Sequence, residues 1–109
     1  MASNEEVAQI FPTMVERFDP AKAEGINAAI QFDLGGDGGG QYWLRIADGK
    51  AETGAGLIDN PKMTLKATAD DFHNIISGKM NPMQAFMTGK IKVQGDTSLA
   101  MKLMPMING

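Results

Sequence analysis

Cysteine is absent from this chain. That removes a disulfide framework, a thiolate metal site and a cysteine nucleophile together. His73 is the sole histidine, so a site built from several imidazoles is also excluded. No apolar run approaches the ~20 residues a bilayer-spanning helix needs. An excess of cations is missing too. Ten Lys and Arg stand against thirteen Asp and Glu, giving a formal net charge of -3. A nucleic-acid binder carries the opposite footprint, so no nucleic-acid partner is expected. The first residues, Met1-Ala2-Ser3-Asn4-Glu5-Glu6, are polar and acidic and lack the apolar stretch of a signal peptide. The last, Ile107-Asn108-Gly109, are not a Ser-Lys-Leu peroxisomal address. The expected location is cytoplasmic.

What is present fits one domain of 109 residues. Hydrophobic residues make up 43% and charged residues 21%, both ordinary for a folded protein. A globule of this size buries about 65% of the surface its unfolded chain exposes. That suffices for one core. An internal hollow would subtract from it, and only selection for a ligand would explain one. Two counts stand out. Six of the nine methionines lie between Met80 and Met106, and five of the thirteen glycines lie between Gly35 and Gly40.

Val7, Ile10, Phe11, Met14, Val15 and Phe18 follow the spacing of one helical face. Pro12 should kink that helix or mark a restart. Asp19-Pro20 reads as a cap and first helical residue of a short turn to about Glu24, ended by Gly25. Ile26 to Leu34 alternates apolar and polar residues and predicts a half-buried strand. A loop over Gly35–Gly40 leads to a second strand, Gln41 to Ala47. Asp48-Gly49 is a hairpin turn into a third strand at Lys50 to Gly54. After Asn60-Pro61, Met63 to Thr68 forms a fourth. Thr68 or Asp70 caps a helix from about Ala69 to Ser77, stopped by Gly78. Asn81-Pro82 opens a short helix with Met83, Phe86 and Met87, ended by Gly89. Lys90 to Gly95 is a fifth strand. Asp96 caps a last helix with Leu99, Ala100, Leu103 and Met104 along one stripe. Each strand has an apolar and a polar face. The fold class is therefore α+β: one sheet, mostly antiparallel, with helices on one side and water on the other.

The chemistry-bearing candidates are few. The glycine run precedes a strand, not a helix, and no Gly-Lys-Ser/Thr follows it, so it reads as a hairpin loop and not a phosphate cradle. Asp70 and Asp71 beside His73 offer paired acids, but in a first helical turn such charges answer the helix dipole. No Gly-x-Ser-x-Gly elbow occurs, and Ser3, Ser77 and Ser98 sit near helix ends. No catalytic residue, metal or cofactor is assigned. The methionines Met80, Met83, Met87, Met104 and Met106, with Phe86, Leu99 and Leu103, read on pattern alone as core filler. The functional alternative is a deformable wall around an acyl chain or ring system, since methionine adapts to guests of varied shape.

Several stretches together carry a resemblance. They are Asp70-Asp71-Phe72, Gly78-Lys79-Met80-Asn81-Pro82, Ala85 through Asp96, and Leu99-Ala100-Met101-Lys102-Leu103. Upstream, Arg17-Phe18-Asp19-Pro20, Ile30 to Leu34 and Ile46-x-Asp48-Gly49-Lys50 join them. The chain resembles the sterol carrier protein-2 (SCP2) domain over essentially its whole length. The resemblance implies a five-stranded sheet covered on one face by four to five helices that enclose a hydrophobic tunnel. It implies non-catalytic binding and transfer of a fatty acid, fatty acyl-CoA, phospholipid or sterol. Transient membrane contact and a monomer or weak homodimer are expected. The implied lining is Phe11, Met14, Ile30, Phe32, Leu44, Ile76, Met80, Met83, Phe86, Met87, Leu99, Leu103, Met104 and Met106. The last helix is expected to gate it, so Leu103→Asp should abolish ligand uptake. Arg45, Lys50, Lys90 and Lys92 read first as solvated surface and only second as head-group charges.

Two other functions compete. One is an accessory or dimerisation module that docks a partner through the apolar C-terminal face near Met104-Pro105-Met106-Ile107. The other is a small acyl-CoA hydrolase, for which no nucleophile or base pair is placed.

Overall fold

The computed structural model describes residues 4–18, 21, 25–36 and 38–99. Helix α1 (Asn4–Arg17) leads into strands β1 (Ala28–Gly35), β2 (Gly40–Ala47), β3 (Lys50–Ala55) and β4 (Met63–Thr68). Helices α2 (Ala69–Ile76) and α3 (Pro82–Met87) and strand β5 (Lys92–Gly95) follow. Residues 97–99 begin a further helix, where the Leu99 amide donates to Asp96 Oδ1 at 3.2 Å.

The five strands make one sheet in the order β3-β2-β1-β4-β5. The first three form an antiparallel meander, β4 runs parallel to β1, and β5 is antiparallel to β4. The expected α+β architecture is what the chain adopts. Register follows from side-chain alternation. Ile30, Phe32 and Leu34 lie beside Met63, Leu65 and Ala67 on one flank and, for the first two, beside Leu44 and Tyr42 on the other. That apolar face is closed by Val7, Phe11 and Met14 of α1 and by Phe72 and Ile75 of α2, all buried.

Several expectations shift in detail. Helix α1 does not restart at Pro12 but runs through it. The lost bond to the Ala8 carbonyl is outweighed by the burial of Val7, Ile10, Phe11 and Met14 around it. Strand β1 starts at Ala28, not Ile26, and β5 at Lys92, not Lys90. The amides of Lys90 and Ile91 are drawn away from the ladder, because both donate to the Ala85 carbonyl at 2.9 and 3.2 Å. Thr68, not Asp70, caps α2, its hydroxyl accepting from the Asp71 amide at 3.1 Å. The glycine run is a hairpin loop between β1 and β2, as its sequence context requires. Of the turn expected from Asp19 to Glu24 only Ala21 is described, and the last helix beyond Leu99 lies outside the described residues.

The second face of the sheet is not simply wet. Strand β3 is an outer strand, while β4 lies beyond β2 and β1. Residues 56–62 therefore cross the polar face as a strap. Gln31, only 5% exposed, fastens it. Its Nε2 donates to the carbonyls of Tyr42 (2.9 Å) and Gly56 (3.0 Å), and its Oε1 accepts from the Ile58 amide (2.9 Å). The Lys62 amide then donates to the Ala29 carbonyl at 2.8 Å, and the Asp96 amide to the Lys62 carbonyl at 2.9 Å. A Cβ at Gly95 would collide with that same Lys62 carbonyl, which is why glycine precedes Asp96.

Candidate functional site

The motif residues between Gly78 and Gly89 serve one short helix. Gly78 and Gly89, both left-handed at φ 83° and 80°, bound the segment that holds α3. After α2 the amides of Lys79 and Met80 donate back to the Asn74 carbonyl at 2.8 and 3.0 Å, which turns the chain. Asn81 then caps α3. Its Oδ1 accepts from the amides of Met83 at 2.8 Å and Gln84 at 3.3 Å. Pro82 occupies the start of the helix, where its missing N–H costs nothing. At the far end the Thr88 hydroxyl donates to the Gln84 carbonyl at 2.8 Å. A helix of six residues is too short to stand alone. These caps and the burial of Ala85 hold it in place.

What α3 presents is unusual for a helix so firmly held. Ala85 is buried, while Met83, Phe86 and Met87 are 54%, 48% and 80% exposed. An open cleft of about 420 Å³ runs along it, lined by Met80, Gln84, Ala85, Met87, Thr88 and Lys90. A second open cleft of about 360 Å³ adjoins it, lined by Asp33, Gly35, Lys66, Ala67, Thr68, Gly89, Lys90 and Lys92. A third, of about 460 Å³, lies under the strap between Asn27, Arg45, Ile58 and Asp59.

The expected lining residues fall into separate groups. Phe11, Met14, Ile30, Phe32 and Leu44 are buried where α1 and α2 meet the sheet. Rings fill that region: Phe11 lies 5.2 Å from Phe32, 4.5 Å from Tyr42 and 5.6 Å from Phe72 between centroids. Leu99 is buried as well, and Ile76 and Met80 are partly buried against the same core. Met83, Phe86 and Met87 stand outside it on α3. Leu103, Met104 and Met106 lie outside the described residues, as does the apolar stretch through Ile107. Sequence reasoning missed Tyr42 and Phe72 as partners of Phe11, and Lys66 as a neighbour of Lys90 and Lys92. The signal for Lys66 was the strand register, which pattern alone does not supply. Asp70 and Asp71 occupy the first turn of α2, as expected for charges answering a helix dipole.

Among the described residues, no helix is long and apolar enough to cross a membrane. A sequence model of the SCP-2 sterol transfer family matches residues 9–108. The chain is 31% identical over 103 residues to the hydroxysteroid dehydrogenase-like protein 2 of Bos taurus. It spans 94% of this chain there but only 25% of that relative. Among solved structures, the sterol carrier protein domain 2 of Helicoverpa armigera superposes with a TM-score of 0.71 at 30% identity, covering 93% of this chain and 81% of that one. The palmitated SCP2L2 of Aedes aegypti shares the fold with a TM-score of 0.76 at 24% identity, covering 99% and 96%.

Proposed function

Because this chain belongs to the SCP-2 sterol transfer family, we propose that it binds and hands on a fatty acid, fatty acyl-CoA, phospholipid or sterol in an apolar tunnel whose mouth lies along α3. The observation that carries this reading is α3. A helix capped at both ends, with Met83, Phe86 and Met87 held outward, keeps apolar surface available to a guest. A domain optimised for stability alone would bury those side chains, since each contributes about 1.5–3 kcal/mol on full burial. Methionine suits the task, because its unbranched, polarisable chain moulds to varied guests. The guest supplies the rest of the affinity. Burying ten methylenes of an acyl chain contributes about 8 kcal/mol before the costs of association. No reaction is assigned to the domain; its acids at Asp70 and Asp71 serve the start of α2.

The Aedes aegypti protein of the same fold is palmitated, and palmitate makes a suitable first probe. Protein purified without detergent is expected to carry lipid in native mass spectra and to release a fluorescent fatty acid when palmitate is added. Absence of both would overturn the carrier reading. The exposed face of α3 also suits a second copy of the chain. Sedimentation at several concentrations separates that reading, which requires mass to grow with concentration whether or not lipid is bound.

A further inference from the structure

We propose that Lys66, Lys90 and Lys92 form an anion subsite for the phosphate or carboxylate head of an amphiphile whose chain lies against the methionines of α3. The inference rests on the carrier reading for the chain and on the strand register for the head. The β4–β5 ladder sets Lys66 directly opposite Lys92. Like charges at directly opposed positions destabilise a sheet. An anion between them converts that repulsion into two attractions. Asp33, opposite Lys66 across β1 and β4, answers only part of the charge. Lys90 adds a third cation to the same cleft of about 360 Å³.

The position of Lys90 links head to chain. It lines both the lysine cleft and the methionine cleft beside it. A chain whose anionic head lies at the lysines reaches Met80 and Met87 by passing Lys90, just before the outer strand β5. Charge distribution favours the same end of the molecule. Residues 78–95 hold three of the ten cations and none of the thirteen anions in a chain of net charge -3. In a protein that repels anions elsewhere, this end draws them. Lys66 stands on a central strand and is half-buried, so its ammonium is more constrained than those of Lys90 and Lys92, which are exposed.

The test compares hexadecyl phosphate, palmitate and hexadecanol, which share a chain and differ in head. Displacement of a fluorescent fatty acid is measured at low salt for the unmodified protein and for the triple variant Lys66→Gln, Lys90→Gln, Lys92→Gln. The unmodified protein is expected to prefer the phosphate over the alcohol by about tenfold, with palmitate between. The triple variant is expected to lose that preference, its affinity for hexadecyl phosphate falling to that for hexadecanol. The exposed edge substitution Lys92→Gln alone gives an intermediate preference and guards against misfolding of the triple variant. A preference that survives in the triple variant, or one never present, overturns the subsite. Binding of none of the three amphiphiles overturns the carrier reading instead, and inorganic phosphate then decides the subsite. Saturable amide shifts at residues 66, 90 and 92 would support an anion site for free phosphate. A linear, unsaturable response would overturn it.

Discussion

Under α1 and α2 the apolar face of the sheet is shut by rings, whereas at α3 a phenylalanine and two methionines are left outside. Phe32 is fully buried, with Phe11 at 5.2 Å and Phe72 at 5.5 Å between ring centroids. Phe86, the same residue type, is 48% exposed on a capped helix of six residues. The first region turns apolar area into fold stability. The second spends hydrogen bonds and caps on keeping apolar area accessible. A carrier needs both: a scaffold that does not yield, and an edge that receives a guest.

The sharpest way to break this comparison is to remove the two rings in turn. Phe32→Ala is expected to lower unfolding free energy by about 3–5 kcal/mol, since it empties a filled site between three elements. Phe86→Ala is expected to cost about 1 kcal/mol or less, as for other half-exposed positions. Urea unfolding of the two variants decides it, and equal losses would show that α3 belongs to the same core. Next in size is Gln31. Gln31→Ala leaves the carbonyls of Tyr42 and Gly56 and the Ile58 amide without their side-chain partner, at a cost of about 2 kcal/mol. Amide exchange at Ile58 should quicken ahead of global unfolding, because the strap loses its fastening before the sheet does. Protection at Ile58 unchanged from the parent would mean the strap is held by other bonds.

The contrast between these regions was only partly legible in the sequence. Period-two alternation at Ile30, Phe32 and Leu34, and again at Tyr42, Leu44 and Ile46, predicted strands with one buried face, and that face is the core. The glycine, asparagine and proline signals around α3 placed the helix correctly, because caps are local chemistry. Gln31 was legible only as a polar residue on a wet face. Its burial depends on a strap joining β3 to β4, and strap and strand order are long-range facts that alternation does not encode. The opposition of Lys66 and Lys92 was hidden for the same reason: it exists only once β4 and β5 are in register. The exposure of Met83 and Met87 was hidden too, since a methionine at helical spacing looks alike in a core and at a mouth.

A smaller effect probes the helix without its apolar side chains. Asn81→Ala removes the acceptor for two amides at the start of α3 and is expected to cost about 1 kcal/mol. The loss should appear as faster exchange of the Met83 and Gln84 amides, with those of α1 little changed. Loss of protection spread evenly over both helices would mean that α3 unfolds only with the whole domain.

The smallest expected change in stability belongs to the residue that matters most to the carrier reading. Met87 is 80% exposed, so Met87→Ala should shift unfolding by no more than about 0.5 kcal/mol in either direction. Its side chain nonetheless lines the cleft beside α3. If a guest covers it, truncation removes about two methylene-sized groups from the interface, which corresponds to roughly a tenfold weaker dissociation constant for a long-chain ligand. Stability and affinity therefore move apart at Met87, while at Phe32 stability moves first. A Met87→Ala protein that unfolds like its parent and also binds palmitate like its parent would place the guest away from α3. The outward methionines would then be surface for some other partner.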